Sequence, residues 1–253
     1  MNNVKFKIGR IYISATNLHD AESSIIKQTV DSYGGFVCVT NLRMVQYAHK
    51  HMDYAELMKQ SFMNLPDGMP LVWCGHLWGI KTIQRTSGPD LFKTILENGD
   101  KRLKHYLLGD TQDVLNCIKE RYFNANIVGM EALPFIDVEE FDYKQISNNI
   151  KKSGANIIWT AMTAPKQDYF NQRLYSCLPN VLCIGVGRAF RLSIDNIKMA
   201  PKWAMKCGIG GFFMRRRKWY KTGCWYLKSS FVLAYYMLCI FWQRYMYGKN
   251  GKI

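Results

Sequence analysis

The sequence predicts an α/β fold of the Rossmann-like, doubly wound type, with a mainly parallel sheet and a helical C-terminal appendage. Short apolar runs, typical of strands buried on both faces, alternate with amphipathic stretches of helical length. The 253 residues suffice for one large core, and the apolar share of 48% and charged share of 21% are close to globular averages. The composition therefore argues against a disordered chain and an integral membrane bundle.

The predicted elements follow one another regularly. The stretch from Phe6 to Ser14 alternates around Gly9 and predicts an extra strand or a hairpin, followed by a helix near residues 20–30. Strand-like runs then cover residues 36–40, 105–108, 127–129, 157–161 and 181–186. Helical stretches cover residues 42–60, 112–122 and 143–152, and a further one begins near residue 167. Strands separated by helices predict a buried parallel sheet.

Polar residues just after the strands are the first site candidates, because ligands of such sheets bind beyond the carboxyl ends of the strands. They are Thr40, Asn41, Gly109, Asp110, Gly129, residues 163–168, Gly187 and Arg188. Gly185 and Gly187 would let the backbone approach a ligand. The run IGVGRAF lacks the last glycine of a dinucleotide fingerprint, so a dinucleotide site is not supported.

The segment NLPDGMPLVW, residues 64–73, places Asp67 in a tight turn between Pro66 and Gly68, ahead of an apolar helix. Two interpretations are open. An aspartate at this point commonly caps a helix by accepting backbone N–H bonds. It is equally suited to act as a general base that takes the proton of an attacking hydroxyl group. The two roles are compatible.

The segment QRTSGPDLF, residues 84–92, combines Arg85 with the start of the next helix at Ser87, Gly88, Pro89 and Asp90. Free N–H groups at a helix start bind phosphate together with a nearby arginine. Pro and Asp are also ordinary residues at a helix start, so the pattern alone is weak.

The segment TAPKQDYF, residues 163–170, follows an apolar strand and again opens a helix. Lys166, Gln167 and Asp168 stand where a nucleotide could meet two hydrogen-bonding side chains and a cation directed at its phosphate. A plain capped helix is the alternative interpretation. The position between strand and helix favours a site.

No metal or cofactor is expected. His49, His51 and Asp53 do not converge at their spacing on a helix, and the chain lacks an obvious D-x-D motif. Phosphate-loop, G-x-S-x-G and H-E-x-x-H motifs are also absent. The eight cysteines form no C-x-x-C pair and are interpreted as reduced thiols, several of them in the core.

The net charge of +15 is concentrated in residues 196–253, which hold 12 Lys or Arg and no Asp or Glu. The rest of the chain carries 22 positive and 19 negative charges. We therefore predict an α/β domain over residues 1–195 and a basic, aromatic appendage over residues 196–253. A basic surface of this kind suits an anionic partner: phospholipid, diphosphate or nucleic acid.

The longest apolar run, residues 231–242, has twelve residues against the ~20 needed to span a bilayer. Its tryptophan and tyrosines and its basic flanks favour a helix lying in the membrane interface. A helix packed against the protein's own core is the alternative. The start MNNVKFKIGR lacks a secretory signal, so we expect a cytoplasmic protein, peripheral on the inner face of the cell membrane.

Seven segments, taken in order, resemble the bacterial WecG/TagA/CpsF glycosyltransferases. They are CVTN (38–41), PDGMPLVW (66–73), RTSGPDLF (85–92), YLLGD (106–110), PKQD (165–168), IGVG (184–187) and APKW (200–203). The resemblance implies inverting transfer of a hexose or N-acetylhexosamine, of N-acetylmannosamine type, from a UDP-sugar to a polyprenyl-diphosphate-linked saccharide. Teichoic acid, capsule and exopolysaccharide are typical products, and the family is not characteristically metal-dependent.

The resemblance also implies roles for individual residues. Asp67 would be the catalytic base, and Thr40 would help to position the donor. The donor-side pocket would include Arg85, Gln167, Gly185 and Gly187. With the candidates from the residue patterns, the predicted substrate-binding set is Asn41, Arg85, Gly88, Asp90, Gly109, Lys166, Gln167, Gly185 and Gly187.

The chain departs from the family pattern at several positions. Asp168 replaces a glutamate, and Arg191 stands where an aspartate is common. Aligned without a gap, the family's appendage arginines fall on Met214, Lys221 and Trp225. As substitute contacts to diphosphate or membrane we consider Arg215, Arg216, Arg217, Lys218 and Lys221.

These departures leave a second hypothesis open: a degenerate member that binds a nucleotide sugar or lipid carrier without turnover. A nucleic-acid-binding module is a third reading of the charge, but the aromatic run beside the basic cluster fits lipid better, so no nucleic-acid partner is expected. The sequence does not determine the donor sugar, the acceptor sugar or whether the chain forms a homo-oligomer.

Overall fold

The computed structural model describes residues 4–195, 200–208, 210 and 219–247. The strands are β1 (Lys5–Ile8), β2 (Ile11–Ser14), β3 (Gly35–Thr40), β4 (Met63–Pro66), β5 (His105–Gly109), β6 (Ile127–Glu131), β7 (Ile157–Ala161) and β8 (Leu182–Gly185). The helices are α1 (Leu18–Val30), α2 (Leu42–Lys50), α3 (Met52–Gln60), α4 (Met69–Leu77), α5 (Gly88–Asn98), α6 (Gln112–Arg121), α7 (Tyr143–Ser153), α8 (Lys166–Cys177), α9 (Ala189–Ser193), α10 (Lys202–Lys206) and α11 (Trp219–Tyr247).

Within the described residues, the central sheet has six parallel strands in the order β4-β3-β8-β7-β5-β6. Helices cover both faces, so the predicted α/β class with a parallel sheet is confirmed. The strands β1 and β2 form a separate antiparallel hairpin, as the alternation around Gly9 predicts. Gly9 has a φ of 60° in the turn, a value that glycine adopts without steric cost.

The strands are apolar because the sheet is buried on both faces. In β3, Phe36 and Cys38 belong to a core with α2, α3, α4, α7 and α8. Val37 and Val39 point the other way, into a second core with α1, α5, α6 and α9. Successive side chains of a strand point to opposite faces, so most positions of such a strand are apolar.

The structure differs from the sequence-based prediction at two places. The helical stretch over residues 42–60 is two helices, because His51 has extended backbone angles and separates α2 from α3. The strand β4 was not expected, since its sequence MNLP is short and contains Asn64 and Pro66. Asn64 is satisfied in the interior by donating to the backbone oxygens of Tyr12 and Met58, both at 2.8 Å. A proline is tolerated on an edge strand, and β4 is one.

The helix α11 packs one face against the rest of the molecule. Tyr236 and Ile240 are buried in the core that includes α2 and α4. The Arg244 guanidinium donates to the backbone oxygen of Leu77 at the end of α4, at 2.7 Å. The predicted alternative, packing against the protein's own core, is therefore confirmed for this face.

The opposite face of α11 presents an exposed apolar stripe, formed by Leu227, Phe231, Tyr235, Leu238, Phe241, Trp242 and Tyr245. Within the described residues, no helix is both long and apolar enough to cross a membrane. Among the predicted basic contacts, Arg215, Arg216, Arg217 and Lys218 lie outside the described residues, and Lys221 lies on α11.

Candidate active site

A cavity of about 650 Å³ opens at the carboxyl edge of the sheet. It lies where strands β3, β4, β7 and β8 end, the position expected for the ligand site of such a fold. Six of the predicted site residues line it together: Asn41, Asp67, Arg85, Gly88, Gln167 and Gly187. Residues of the C-terminal part, among them Met205, Gly208 and Leu233, cover it from the other side.

Asp67 follows β4 directly and faces the cavity. Its backbone N–H donates to the Thr40 oxygen at 2.7 Å, which joins the ends of β3 and β4. Gly68 caps α4 with a φ of 133°, and α4 has no side-chain cap bond. Asp67 therefore does not cap this helix. Within the described residues no group hydrogen-bonds its carboxylate, and Arg85 Nε approaches it only to 3.9 Å.

The environment of Asp67 suits a proton acceptor near neutral pH. Its side chain keeps 31% exposure to the cavity, yet it lies deep enough that burial raises its pKa to about 6. The charges of Arg85 and Arg188 act to lower this pKa, and the charge of Asp90 raises it. A carboxylate without a hydrogen-bonded partner and with a pKa near the working pH is the arrangement that general-base catalysis needs.

Arg85 and the start of α5 form the neighbouring wall. Arg85 Nη1 donates to Asp90 Oδ2 at 3.0 Å, and the Ser87 hydroxyl donates to the same oxygen. Asp90, a predicted substrate contact, does not line the cavity itself. Gly88 permits the close approach of α5 to the end of β8, because a Cβ atom there would lie 2.8 Å from the Val186 oxygen.

Gln167 connects α8 to the turn after β8. Its Oε1 atom accepts a hydrogen bond of 3.0 Å from the Gly187 N–H. A Cβ atom at Gly185 would lie 2.8 Å from Gln167 Cδ, so this glycine makes room for the Gln167 side chain. Gly187, with a φ of 60°, lines the cavity itself. The two glycines of IGVG thus have different tasks.

Asn41, and not Thr40, reaches the cavity from β3. Asn41 Oδ1 caps α2 by accepting from the N–H groups of Arg43 and Met44 at 3.0 and 3.3 Å, which leaves its amide nitrogen for a ligand. Thr40 is fully buried, and its hydroxyl has no hydrogen-bond partner in the described part of the chain. A direct contact between Thr40 and the sugar donor stays a prediction, and the buried position of Thr40 does not favour it.

Two other predicted residues lie away from the cavity lining. Lys166 Nζ donates to the Ile136 oxygen and lies over the rings of Phe135 and Phe141, with centroid distances of 5.1 and 5.3 Å. Gly109 packs against the backbone of Ala161 at the end of β5. Their roles as substrate contacts stay predictions without geometric support.

Arg191, which stands where an aspartate is common in the family pattern, has a defined partner in the structure. Its guanidinium binds the carboxylate of Asp110 through Nε and Nη2, with a shortest distance of 2.7 Å. Asp110 has a φ of 60° and follows β5. The pair joins the β5–α6 turn to α9 beside the cavity, and bidentate pairs of this kind also fix geometry.

A polar layer lies beneath the cavity floor, between α8 and the sheet. Asp168 is 1% exposed and accepts a hydrogen bond of 2.6 Å from the Tyr54 hydroxyl. Burial raises the pKa of Asp168 to about 6, and the side chains of Tyr54, Cys38 and Gln167 act to lower it. Next to it, the hydroxyl of Thr160, which is paired with Gly185 across the sheet, donates to Asn171 at 2.6 Å.

Some cavity residues were not predicted from the sequence. Met69 and Trp73 lie one helical turn apart on α4, so their shared face could have been inferred once Asp67 was placed before this helix. Met205, Gly208 and Leu233 come from the C-terminal part, and no local pattern indicates that this part folds over the cavity.

The fold and the cavity define a doubly wound α/β protein with a candidate ligand site at the carboxyl edge of its sheet, where the Asp67 carboxylate lies 3.9 Å from the Arg85 guanidinium. The profile of the glycosyl transferase WecG/TagA/CpsF family matches residues 6–244. This protein therefore belongs to that family, and the predicted resemblance is confirmed.

Two curated relatives are similar over about two thirds of the chain. Both are N-acetylglucosaminyldiphosphoundecaprenol N-acetyl-beta-D-mannosaminyltransferases. That of Bacillus subtilis (strain 168) is 26% identical over 185 residues, which are 71% of this chain and 70% of the relative. That of Bacillus spizizenii (strain ATCC 23059 / NRRL B-14472 / W23) is 24% identical over 174 residues, 68% of this chain and 67% of the relative.

Proposed function

We propose that this protein transfers an N-acetylhexosamine, of the N-acetylmannosamine type, from a UDP-sugar to a saccharide on a polyprenyl diphosphate, with inversion at the anomeric carbon. The names of the two relatives support this sugar and a lipid-diphosphate acceptor. The observation that carries the proposal is the Asp67 carboxylate, which faces the cavity, has no hydrogen-bonded partner among the described residues and has a pKa raised to about 6.

The cavity supplies the groups that such a transfer needs. Asp67 would take the proton of the acceptor hydroxyl while its oxygen forms a bond to the anomeric carbon of the donor. At the same time the bond between that carbon and the diphosphate oxygen breaks, and its electron pair leaves with UDP. Attack from the face opposite the leaving group inverts the configuration.

The departing diphosphate gains negative charge and needs positive partners in the cavity. Arg85 and Arg188, which both line the cavity, are suited to stabilise it. Gln167 and Asn41 offer amide groups to the rest of the donor. These cations fit a mechanism in which protein side chains compensate the charge of the leaving group.

The lipid-linked acceptor would reach the cavity from a membrane surface. We propose that residues 196–253 form the basic appendage predicted from the sequence, and that the exposed apolar stripe of α11 rests on the cytoplasmic face of the cell membrane. The 12 Lys or Arg in this part, with no Asp or Glu, complement anionic phospholipid.

The first test is a donor and acceptor screen on the full chain. We expect UDP release from UDP-N-acetylmannosamine with a short polyprenyl-diphosphate N-acetylglucosamine acceptor, and near-complete loss in Asp67→Ala. Asp113→Ala, an acidic residue in the first turn of α6 outside the cavity lining, is the matched control. Donor binding without product for any donor would favour the degenerate member, and normal turnover of Asp67→Ala would remove the base role.

A second test concerns the membrane. Substituting Leu238, Trp242 and Tyr245 by Ser alters only exposed positions of α11 and spares Tyr236 and Ile240, which pack inward. We expect the variant to lose about tenfold or more in binding to anionic vesicles, because interfacial aromatic and apolar groups supply much of the affinity. Equal sedimentation of variant and wild type with such vesicles would contradict the membrane proposal.

A further inference from the structure

The guanidinium of Arg85 lies between two carboxylates at the cavity wall. Its Nη1 atom donates a hydrogen bond of 3.0 Å to Asp90 Oδ2, whereas its Nε atom stays 3.9 Å from Asp67 Oδ1. Only the first distance is within hydrogen-bonding range. Arg85 is therefore bonded to Asp90, and Asp67 experiences it only as a nearby charge.

Local contacts hold Asp90 in the place from which it binds Arg85. Ser87 caps α5, accepts a hydrogen bond from the Asp90 N–H and donates one to Asp90 Oδ2. Thr86 is fully buried, and its N–H donates to the Pro66 oxygen at 2.9 Å. The loop that carries Arg85 is thereby tied to the residue that precedes Asp67, so the guanidinium and both carboxylates belong to one connected frame.

We propose that Asp90 is a positioning residue, which keeps Arg85 from hydrogen-bonding Asp67 and so leaves the Asp67 carboxylate free to accept a proton. The inference rests on the proposed function, in which Asp67 is the general base. A carboxylate bonded to a guanidinium is a weaker base, because the pair stabilises its charged form. Without Asp90, a small rotation of the Arg85 side chain would allow this pairing.

The charges around Asp67 agree with this role. Burial has the largest effect and raises the pKa of Asp67, Arg85 and Arg188 act to lower it, and Asp90 acts to raise it. Asp90 thus keeps Asp67 basic in two ways: by its own charge, and by engaging Arg85. The second way distinguishes a positioning residue from a mere neighbour.

The simplest alternative is that Asp90 only stabilises the start of a helix, and the chain offers a matched case. Asp20 has the same place in α1: its N–H donates to the cap residue Asn17 at 3.0 Å, and Asn17 Nδ2 donates to Asp20 Oδ2 at 2.7 Å. Asp20 does not line the cavity. A role confined to the helix start would make the two aspartates equivalent.

The test compares Asp90→Asn with Asp20→Asn in the full chain, by measuring kcat and kcat/KM against pH. The acid limb of kcat/KM reports the pKa of the base in the free enzyme. In Asp90→Asn we expect this limb to move down by about one pH unit or more, as an ion pair with Arg85 requires. We also expect kcat at the plateau to fall by about three- to tenfold, because a weaker base transfers the proton less readily.

The control variants define the result more sharply. Asp20→Asn should leave the pH profile unchanged, and Asp90→Glu, which keeps a carboxylate for Arg85, should restore most of the wild-type profile. In an Arg85→Gln background, Asp90→Asn should cause a smaller shift, since only the loss of the Asp90 charge remains. If Asp90→Asn moves the acid limb of kcat/KM as far in the Arg85→Gln background as it does in the wild-type background, Asp90 does not act by positioning Arg85, and the inference is overturned.

A direct titration separates this inference from the proposed function. ¹³C NMR of the Asp67 carboxyl carbon, assigned by its loss in Asp67→Asn, follows the pKa without turnover. If Asp90→Asn lowers the Asp67 pKa more in the wild-type background than in the Arg85→Gln background, the positioning role is supported, even if Asp67→Asn keeps its activity and the base role alone fails. An unchanged Asp67 pKa in Asp90→Asn, or an equal shift in Asp20→Asn, overturns the inference.

Discussion

Asp67 and Asp168 lie at the cavity and just beneath its floor, and burial raises the pKa of each to about 6. Their surroundings are otherwise opposite. The Asp67 side chain is 31% exposed, and the nearest cationic group among the described residues lies 3.9 Å away, whereas Asp168 as a whole residue is 1% exposed and accepts a hydrogen bond of 2.6 Å from Tyr54. A raised pKa therefore does not identify the reactive carboxylate. Access to the cavity, and the lack of a hydrogen-bonded partner in the described part of the chain, distinguish Asp67, the proposed base, from Asp168.

The largest expected difference between the two aspartates is in turnover. Asp67→Asn should lower kcat by about 10²- to 10⁴-fold, the usual contribution of a general base, while Asp168→Asn should stay within about tenfold of wild type. Steady-state kinetics on both variants, after each is shown to be folded by circular dichroism, measures this. A deeper loss in Asp168→Asn than in Asp67→Asn would reverse the assignment.

The second difference is in how stability depends on pH. Between the ordinary carboxyl pKa of 3.8 and the folded value of about 6, folded Asp168 keeps a proton that the unfolded chain has lost. The free energy of unfolding should therefore decrease as pH rises through this window, by up to about 3 kcal/mol for a fully buried group. Asp168→Asn should remove most of that slope, and Asp67→Asn less because Asp67 is partly exposed.

Urea unfolding at half-unit intervals from pH 4 to pH 7 measures how the free energy of unfolding changes with pH in the wild type, in Asp168→Asn and in Asp67→Asn. An equal reduction of the slope in both variants would show that the two carboxyl groups are buried to the same effective degree. Asp67 and Asp168 would then differ in their hydrogen bonding but not in their burial.

The smallest effect concerns the Tyr54 hydroxyl, which has no counterpart at Asp67. Because this hydrogen bond acts to lower the pKa of Asp168, it favours the charged carboxylate. Tyr54→Phe should cost about 1.5–3 kcal/mol at pH 8, where a charge-assisted bond is lost, and about 1 kcal/mol at pH 4.5. Chemical denaturation at both pH values measures the difference. Equal costs would indicate that Asp168 keeps the same protonation state at both pH values.

The sequence predicted most of the sheet, because strands buried on both faces must be apolar at successive positions, as in residues 36–40 and 157–161. It missed β4, whose residues Asn64 and Pro66 do not look like a strand. Asn64 is tolerated there because the backbone oxygens of Met58 and of Tyr12, the latter 52 residues earlier in the chain, accept its hydrogen bonds. Local pattern cannot report such contacts, so the strand that carries Asp67 into the cavity went unrecognised.

The candidate site divides in the same way. Helix starts and strand ends predicted Asn41, Asp67, Arg85, Gly88, Gln167 and Gly187, which the cavity brings together. The same rule selected Lys166, whose long side chain instead turns toward Phe135 and Phe141. Position along the chain fixes where a backbone goes, but packing decides which way a flexible side chain points.

The sequence by itself determined the fold class, the family and the choice of Asp67, since these depend on apolar periodicity and on motifs in a fixed order. Only the tertiary structure decided that Asp67 does not cap α4, that Asp90 binds Arg85, and that Thr40 lies buried below the cavity. The physical reason is that hydrogen bonding, burial and distance between charges depend on residues brought together from different segments. Those relations set the pKa of Asp67 and make one of two similar carboxylates available for chemistry.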